Sequence, residues 1–370
     1  MIETKQFYDY LINNNIDFFT GVPDSLLANL CACIKENTKE SHNIISANEG
    51  NAVALAAGYH LSTGKFGLVY MQNSGEGNAV NPLLSLADED VYSIPMLLMI
   101  GWRGEPGKHD EPQHVKQGKV TISLLDAMGI ENEVLEDDFE KQIDKAINYM
   151  KEYNKPYALV IKKGSFSTYK ISKETSPYTL SREDALKVII DNLGQDDIIV
   201  STTGKTSREI FEIREALNQG HSNDFLTVGS MGHTASIAYG ICLGTNKDVY
   251  CIDGDGSFLM HMGSLAVIGS KMLDNFKYIL NDNAAHESVG GQPTCSKSLD
   301  IPSILKACGF EKVLVCANEQ EIKVGIKTLK EEKRVALVLK TKQGSRDDLG
   351  RPTTTPQENK NALMHKLGVK

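Results

Sequence analysis

The sequence lacks the features that mark several specialised classes of protein. Its 7 cysteines are an odd, scattered set among 370 residues, so we expect reduced thiols in the cytoplasm rather than a disulfide-bonded secreted domain. No apolar run approaches the roughly 20 residues of a membrane-spanning helix, and Met1–Lys5 lack a signal-peptide pattern. With 48 acidic and 39 basic residues, the net charge of −9 argues against a broad nucleic-acid surface. We therefore expect neither nucleic acid nor a membrane as a partner.

What the sequence does contain is an alternation of short apolar strands and helical stretches, which predicts an α/β fold with parallel sheets. A stretch rich in Ser, Thr and Lys near the middle indicates a linker. We predict one domain over 1–165, the linker over 166–180 and a second domain over 181–370. Within the first domain the sequence predicts a helix that begins at Gly21–Ser25 and a polar loop over 103–117.

The two halves of the chain repeat one another. Residues 69–75 resemble 249–256, residues 158–162 resemble 336–340, and Gly21 and Gly204 each follow an early strand. The offsets are 249 − 69 = 180, 336 − 158 = 178 and 204 − 21 = 183. Because three matches keep their order at nearly one offset, they predict two domains of similar topology.

Two strand ends in the second half carry oxygen-bearing side chains. The strand Val249–Ile252 runs into Gly254-Asp255-Gly256-Ser257, and the strand Phe276–Leu280 runs into Asn281-Asp282-Asn283. Such oxygens suit Mg²⁺, and glycines let backbone N–H groups approach a phosphate closely. We predict a magnesium–diphosphate site with Asp255, Asn283 and the Ala285 carbonyl as ligands, and Asp282 remains an alternative to Asn283. Taken alone, Gly-Asp-Gly also fits an ordinary turn.

This spacing resembles the cofactor signature of thiamine-diphosphate enzymes, in which Gly-Asp-Gly is followed by Asn. Here 26 residues, 257–282, separate Gly256 from Asn283. The resemblance implies a pyrimidine-binding domain followed by a diphosphate-binding domain, with no middle domain. It assigns diphosphate contacts to Gly204, Lys205, Thr206, Gly256 and Ser257, and pyrimidine contacts to Gly229 and Ser230. It makes Met231 the bulky apolar side chain beneath the bent cofactor.

Glu49 stands between a strand and a helix of small residues. An acidic residue in a first helical turn is favoured by the helix dipole alone. Beside a diphosphate site, the resemblance instead implies the glutamate that activates the pyrimidine ring, since a partly buried carboxyl with a raised pKa can share its proton.

Longer blocks are similar to the phosphonopyruvate decarboxylases, a family of thiamine-diphosphate-dependent 2-oxo acid decarboxylases. They are residues 21–27, 49–60, 81–88, 101–107, 110–118, 286–294 and 344–353. The resemblance implies nonoxidative decarboxylation of 3-phosphonopyruvate to phosphonoacetaldehyde and CO₂, in phosphonate biosynthesis. Two departures are Glu76, where an uncharged residue is more usual, and Asn281–Ala284, where Asn-Asn-Gly is common.

The implied reaction needs proton donors and groups that bind a phosphonate. The candidates for proton transfer are Asp24, His109, His114 and His286. Cationic side chains suit the phosphonate oxygens, and the candidates are Arg103, Lys108, Lys116, Arg346 and Arg351. The loop that contains Arg346 either covers the site or forms a local salt-bridged turn.

Two other functions remain open at this stage. Sulfopyruvate decarboxylase shares the two-domain plan, and its substrate has a sulfonate in place of the phosphonate; the long matching blocks and the presence of both domains in one chain favour phosphonopyruvate. A noncatalytic thiamine-diphosphate-binding subunit is the other alternative, against which intact Glu49, Asp255 and Asn283 argue. The family's organisation also implies a homodimer or homotetramer with active sites between subunits.

Overall fold

The computed structural model describes residues 1–170 and 176–369. The chain divides into two compact units, Met1–Lys173 and Glu174–Lys370. Of the predicted linker, residues 171–175 lie outside the described residues. Phe166 is buried in the core of the first unit and Leu180 in that of the second. The linker bounds of 166–180 remain a prediction.

The first unit is built on a sheet of six parallel strands. The strands are β1 (Phe18–Gly21), β2 (Asn43–Ile45), β3 (Gly67–Gln72), β4 (Leu97–Gly101), β5 (Glu131–Val134) and β6 (Tyr157–Ile161). They lie in the order β2-β1-β3-β4-β6-β5. Both faces are covered: in β3, Leu68 and Tyr70 belong to one core cluster, whereas Val69 and Met71 belong to the other. Burial on both faces explains why the inner strands β3, β4 and β6 are almost continuously apolar.

The helices of the first unit are α1 (Thr4–Asn13), α2 (Ala28–Asn37), α3 (Glu49–Thr63), α4 (Glu76–Pro82), α5 (Pro112–Ala127) and α6 (Phe139–Tyr153). Two sequence predictions are wrong at their boundaries. The predicted loop over 103–117 ends early because Pro112 opens α5, a position where proline is favoured since its missing N–H is not needed. The helix expected from Gly21–Ser25 begins only at Ala28.

The second unit has a six-stranded parallel sheet and a short hairpin. Its strands are β7 (Ile198–Ser201), β8 (Asp224–Leu226), β9 (Val249–Gly254), β10 (Phe276–Asp282), β11 (Ala285–His286), β12 (Gln292–Pro293), β13 (Lys312–Cys316) and β14 (Val335–Lys340). The sheet order is β13-β14-β10-β9-β7-β8, and β11 pairs with β12 in the hairpin. The helices are α7 (Arg182–Asp191), α8 (Lys205–Ala216), α9 (Thr234–Cys242), α10 (Asp255–Met260), α11 (Gly263–Ser270), α12 (Ile301–Ala307), α13 (Glu319–Glu331) and α14 (Pro356–Lys366).

The two sheets have one topology. Counted from the first strand of each unit and leaving out the hairpin, both read 2-1-3-4-6-5. The predicted internal repeat is therefore confirmed, as are the α/β class and the parallel sheets. Within residues 1–170 and 176–369 there is no third large sheet that would form a middle domain. No helix in the same residues is long and apolar enough to cross a membrane.

Candidate active site

The carboxyl ends of β9 and β10 bring the predicted metal ligands to one edge of the second sheet. Gly254 pairs with Asn281 in the parallel register, so the residues that follow both strands emerge side by side. Asp255 opens α10 and is 4% exposed, and Asn283 is 7% exposed. Both strands continue two residues beyond their predicted ends. The paired part of β9 and β10 therefore extends to the polar side chains.

Asp255 is a buried carboxyl group that has no cationic partner among residues 1–170 and 176–369. Thr294 Oγ1 donates a hydrogen bond of 2.5 Å to its Oδ2. Burial raises the pKa of Asp255 to about 7, and the nearby charge of Asp282 acts in the same direction. A bound Mg²⁺ would supply the missing positive charge, so the residues present fit the metal.

Asp282, the alternative ligand, already has its charge balanced. Lys340 Nζ lies 2.5 Å from Asp282 Oδ2, and Ser296 Oγ donates to Oδ1 at 2.7 Å. Asn283 carries no charge, and its Oδ1 accepts a hydrogen bond from the Ala285 N–H at 3.1 Å. This arrangement favours Asn283 as the ligand.

The turn after Asn283 explains a departure from the usual motif. Ala284 has φ = 57°, in the left-handed region where the more common glycine carries no steric penalty. Ala285 then pairs with Pro293 across the hairpin, and proline has no N–H to donate to the Ala285 carbonyl. The Ala285 carbonyl, which is the predicted third metal ligand, therefore accepts no hydrogen bond from Pro293.

Several predicted cofactor-binding residues converge beside α10. A Cβ atom placed on Gly256 would lie 2.9 Å from His286 Nδ1 and 3.1 Å from Met231 Cε. A side chain at this position would force the His286 ring or the end of Met231 to shift. Burial lowers the pKa of His286 to about 4, so this imidazole is neutral at physiological pH.

The segment 229–233 has an unusual backbone. Gly229, Ser230 and Gly232 have φ values of 73°, 47° and 87°. Thr203 Oγ1 accepts from the Gly229 N–H at 2.9 Å, and Ser257 Oγ accepts from the Gly232 N–H at 3.1 Å. The Ser257 hydroxyl also hydrogen-bonds to buried Asp253, so its side chain holds this loop in place.

The N-terminus of α8 holds the remaining predicted diphosphate contacts. Gly204 has φ = 94°, and a Cβ atom there would lie 2.6 Å from Ser288 Oγ. Thr206 is buried in the first turn of the helix. Lys205 Nζ donates to Glu287 Oε1 at 3.1 Å. A helix N-terminus with a close-approach glycine suits a phosphate group.

Glu49 is the first residue of α3 and is 4% exposed. Asn78 Nδ2 donates to its Oε2 at 2.7 Å, and a Cβ atom on Gly75 would lie 2.2 Å from Oε1. Burial raises the pKa of Glu49, and no cation is among the groups that affect it. The carboxyl can therefore hold or release a proton nearer to neutral pH than an exposed glutamate.

Asp24 provides a second buried carboxyl group at the same edge of the first sheet as Glu49, and two other predicted residues interact with it. Asp24 is fully buried and accepts from Gln72 Nε2 at 2.6 Å and from the Leu26 N–H at 2.8 Å. Burial raises its pKa, which Arg103 partly counteracts. Burial and the same Arg103 lower the pKa of buried His114. Asp24, Arg103 and His114 thus interact with one another.

Arg103 is itself engaged. Its Nε donates to Asp110 Oδ2 at 2.8 Å, its Nη2 pairs with Asp110 Oδ1, and its Nη1 donates to Ser25 Oγ at 3.0 Å. The ion pair with Asp110 fixes the guanidinium next to Asp24.

The remaining predicted residues are exposed at the surface of their units. Lys108, His109 and Lys116 are exposed on the first unit, and Arg351 is exposed on the second. Arg346 forms ion pairs with Glu183 at 3.3 Å, with Asp348 at 3.1 Å and with Glu212. The pair with Asp348 is local, as in the salt-bridged turn that the sequence left open, whereas Glu183 and Glu212 belong to α7 and α8.

Sequence reasoning missed the residues that hold the predicted ones. Asn78, Gln72, Asp110, Thr294 and Glu287 each bond a predicted site residue. Three of these five, Asp110, Glu287 and Thr294, lie inside the blocks that carry the family resemblance, which was the one available signal. These residues lie between 4 and 82 residues from the predicted residues that they bond, so a local pattern does not pair most of them.

Family models match both units. The N-terminal TPP-binding domain of thiamine pyrophosphate enzymes matches residues 3–127, and the C-terminal TPP-binding domain matches residues 202–339. Together they cover most of the chain, one in each unit.

Three curated relatives match over long stretches. A phosphonopyruvate decarboxylase of Streptomyces viridochromogenes is 33% identical, with 91% of this chain and 88% of the relative covered. One of Streptomyces hygroscopicus is 31% identical, with 97% and 92% covered. A sulfopyruvate decarboxylase of Methanosarcina acetivorans is 29% identical, with 80% of each chain covered.

Proposed function

The chain belongs to the family of thiamine pyrophosphate-dependent decarboxylases that includes the phosphonopyruvate decarboxylases, and from this premise we propose that it converts 3-phosphonopyruvate to phosphonoacetaldehyde and CO₂. The proposal rests on the extent of the match to two phosphonopyruvate decarboxylases. They align with 91% and 97% of this chain at more than 30% identity. Its cofactors are thiamine diphosphate and Mg²⁺.

Sulfopyruvate decarboxylation is the second candidate, supported by the relative that is 29% identical over 80% of this chain. One argument from the sequence is weakened by this relative. A sulfopyruvate decarboxylase that matches so much of the chain must span parts of both units, so the presence of two domains in one chain does not separate the two substrates.

When bound, thiamine diphosphate supplies a thiazolium ring that accepts the electron pair released as CO₂ leaves. Asp255, Asn283 and the Ala285 carbonyl would hold the metal. Gly204, Lys205, Thr206, Gly256 and Ser257 would hold the diphosphate. Gly229 and Ser230 would hold the pyrimidine, and Met231 would provide apolar support for the cofactor. Asp255 contributes the negative charge that the metal requires, and Gly256 leaves room for a close approach.

Glu49 and the groups around Asp24 are proposed to handle protons. The Glu49 carboxyl, buried and with a raised pKa, can hold a proton at one oxygen while Asn78 Nδ2 donates to the other. The product aldehyde carries one new C–H bond, so the reaction consumes one proton. Asp24, with its pKa raised by burial, is a proton donor of suitable chemistry, and His114 and neutral His286 are further candidates.

Of the five cationic candidates for binding the phosphonate, Arg103 has the most suitable surroundings. Its guanidinium is fixed by Asp110 beside Asp24, whereas Arg346 already faces three carboxylates and Lys108 and Lys116 extend into solvent. A guanidinium offers five N–H donors to an oxyanion. Arg346, Arg351, Lys108 and Lys116 remain weaker candidates.

A homo-oligomer with shared active sites is proposed from matching apolar surfaces. Leu61 of α3 is 72% exposed, and Val267 of α11 is 70% exposed; Leu55 of α3 and Leu243 after α9 are exposed as well. Helices α3 and α9 occupy the same place in the two repeats, after the second strand of each sheet. Exposed apolar side chains in related positions favour burial against another subunit.

Glu49 begins α3, and the segment 229–233 leads into α9. We therefore expect Glu49 of one subunit and Asp255 of the partner subunit to serve one active site. All seven cysteines, each within the described residues, are free, which supports the proposed cytoplasmic location.

The test of the proposed function is a substrate panel. The purified chain is freed of metal and supplied with thiamine diphosphate and Mg²⁺, and aldehyde release is measured from phosphonopyruvate, sulfopyruvate and pyruvate. We expect kcat/KM to be highest for phosphonopyruvate. A higher value for sulfopyruvate would keep the reaction type and replace the substrate. Cofactor binding without turnover of any 2-oxo acid would favour the noncatalytic alternative.

A further inference from the structure

Glu287 joins three groups that come from distant parts of the second unit. Its Oε2 accepts from Asn283 Nδ2 at 2.7 Å and from Arg182 Nη1 at 2.8 Å. Its Oε1 accepts from Lys205 Nζ at 3.1 Å. The carboxylate side chain is 11% exposed. Glu287 thus connects a proposed metal ligand with a proposed diphosphate contact.

The bond from Asn283 determines which end of its amide faces Glu287. A carboxylate flanked by two cations can only accept hydrogen bonds, so the amide nitrogen must face it. The oxygen Oδ1 is then turned to the opposite side, where it accepts from the Ala285 N–H at 3.1 Å and keeps one lone pair. Asparagine binds a metal through its oxygen, so the rotated amide would offer the wrong atom.

Arg182 holds Glu287 in place. Its guanidinium forms a fork on Glu209, with Nε–Oε2 at 2.6 Å and Nη2–Oε1 at 2.7 Å, and its third nitrogen reaches Glu287. Both Arg182 and Glu209 are buried. Two cations and two carboxylates balance one another in this network, which gives the Glu287 carboxylate a fixed position.

We propose that Glu287 is a positioning residue for the metal site: it orients the Asn283 amide so that Oδ1 is free to bind Mg²⁺. The inference rests on the proposed function, since it takes Asn283 as a magnesium ligand. A hydrogen bond that orients a ligand is as much a part of a metal site as the ligand itself, and its loss typically reduces affinity about 10- to 100-fold.

The test is a Mn²⁺ titration of the full chain with thiamine diphosphate, in which free Mn²⁺ is followed by its electron paramagnetic resonance signal. Glu287→Met removes the acceptor at nearly constant volume, and Glu287→Gln keeps an oxygen for Asn283 Nδ2. Glu209→Gln is the matched control, because it removes the same charge from the same network without touching Asn283.

We expect Glu287→Met to weaken Mn²⁺ binding about 10- to 100-fold, Glu287→Gln to recover affinity to within about threefold of the wild type, and Glu209→Gln to leave it within the same limit. In an Asn283→Ala background, Glu287→Met should add less than about a twofold loss, because the amide to be oriented is gone.

Three results would overturn the inference. One is an unchanged affinity in folded Glu287→Met. Another is a loss of about tenfold or more in Glu287→Gln, which remains informative if Glu287→Met does not fold. The third is an equal loss in Glu209→Gln, which would assign the effect to the charge network. If the wild type itself binds neither Mn²⁺ nor thiamine diphosphate, the proposed function fails together with the inference.

Discussion

Glu76 makes the stability of the first unit depend on pH in a way that one substitution should remove. The residue stands beside Gly75 and near Asn78, which both contact Glu49. Glu76 is 3% exposed, and its Oε1 is a buried oxygen that has no hydrogen-bond partner in the described part of the chain. Burial raises the pKa of Glu76 from 4.5 to about 8. The carboxyl is therefore protonated in the folded protein at neutral pH.

The direction of the effect follows from the two pKa values. The Glu76 carboxyl ionises near pH 4.5 in the unfolded chain and near pH 8 in the folded chain. Its contribution to the free energy of unfolding is therefore highest below pH 4.5, falls as the pH rises and levels off above about pH 8. Each pH unit in this window costs about 1.4 kcal/mol, so Glu76 alone lowers the free energy of unfolding by about 3.5 kcal/mol between pH 5 and pH 8. Glu76→Gln has no such dependence.

The measurement is urea unfolding of the wild type and Glu76→Gln at several pH values and constant ionic strength. Trp102 is the one tryptophan in the sequence and lies in the same unit as Glu76, so its fluorescence reports on that unit. Exposed Glu152 provides the control substitution Glu152→Gln. The difference between wild type and Glu76→Gln should grow by about 3.5 kcal/mol from pH 5 to pH 8. A difference that stays constant across this range would refute the reasoning.

Three further predictions concern the site. Glu49→Gln and Asp255→Ala subunits can be mixed to test whether active sites are shared. If the active unit is a dimer with shared sites, activity should return to about 25% of the wild type, because half of the dimers regain one of two sites. No recovery would mean that both residues serve one site from the same chain. Ala284→Gly should raise the free energy of unfolding by about 0.5–1 kcal/mol in urea, since the relief of a left-handed alanine exceeds the entropy lost with glycine; a destabilised variant would contradict this. Thr294→Val should cost about 1–3 kcal/mol of stability without metal, because buried Asp255 loses its hydroxyl donor; equal stability would show that the bond contributes little.

The repeat and the strand-end side chains were predictable because both are local patterns. Apolar runs at a common offset predicted two similar sheets, and parallel strands bring their carboxyl ends to one edge, so Asp255 and Asn283 were expected together. The sequence could not decide between Asp282 and Asn283. That choice depends on Lys340, which reaches Asp282 from a strand 58 residues further along the chain.

The elements that the sequence did not predict have weak local signals. Strand β5 (Glu131–Val134) reads Glu-Asn-Glu-Val, without apolar alternation, because it is an edge strand with one neighbour. The residues that orient the site, such as Thr294 and Glu287, are small or charged groups in turns. Their function appears only when the hairpin of β11 and β12 brings them against Asp255 and Asn283.

The most direct test of the central claim is CO₂ release from phosphonopyruvate by the wild type and by Glu49→Gln, each with and without thiamine diphosphate and Mg²⁺. We predict turnover by the wild type only when both cofactors are present, and a loss of at least about 100-fold in kcat for Glu49→Gln, with thiamine diphosphate binding retained. Turnover without the cofactors, or full activity of Glu49→Gln, would contradict the assignment of this chain's proton chemistry to Glu49.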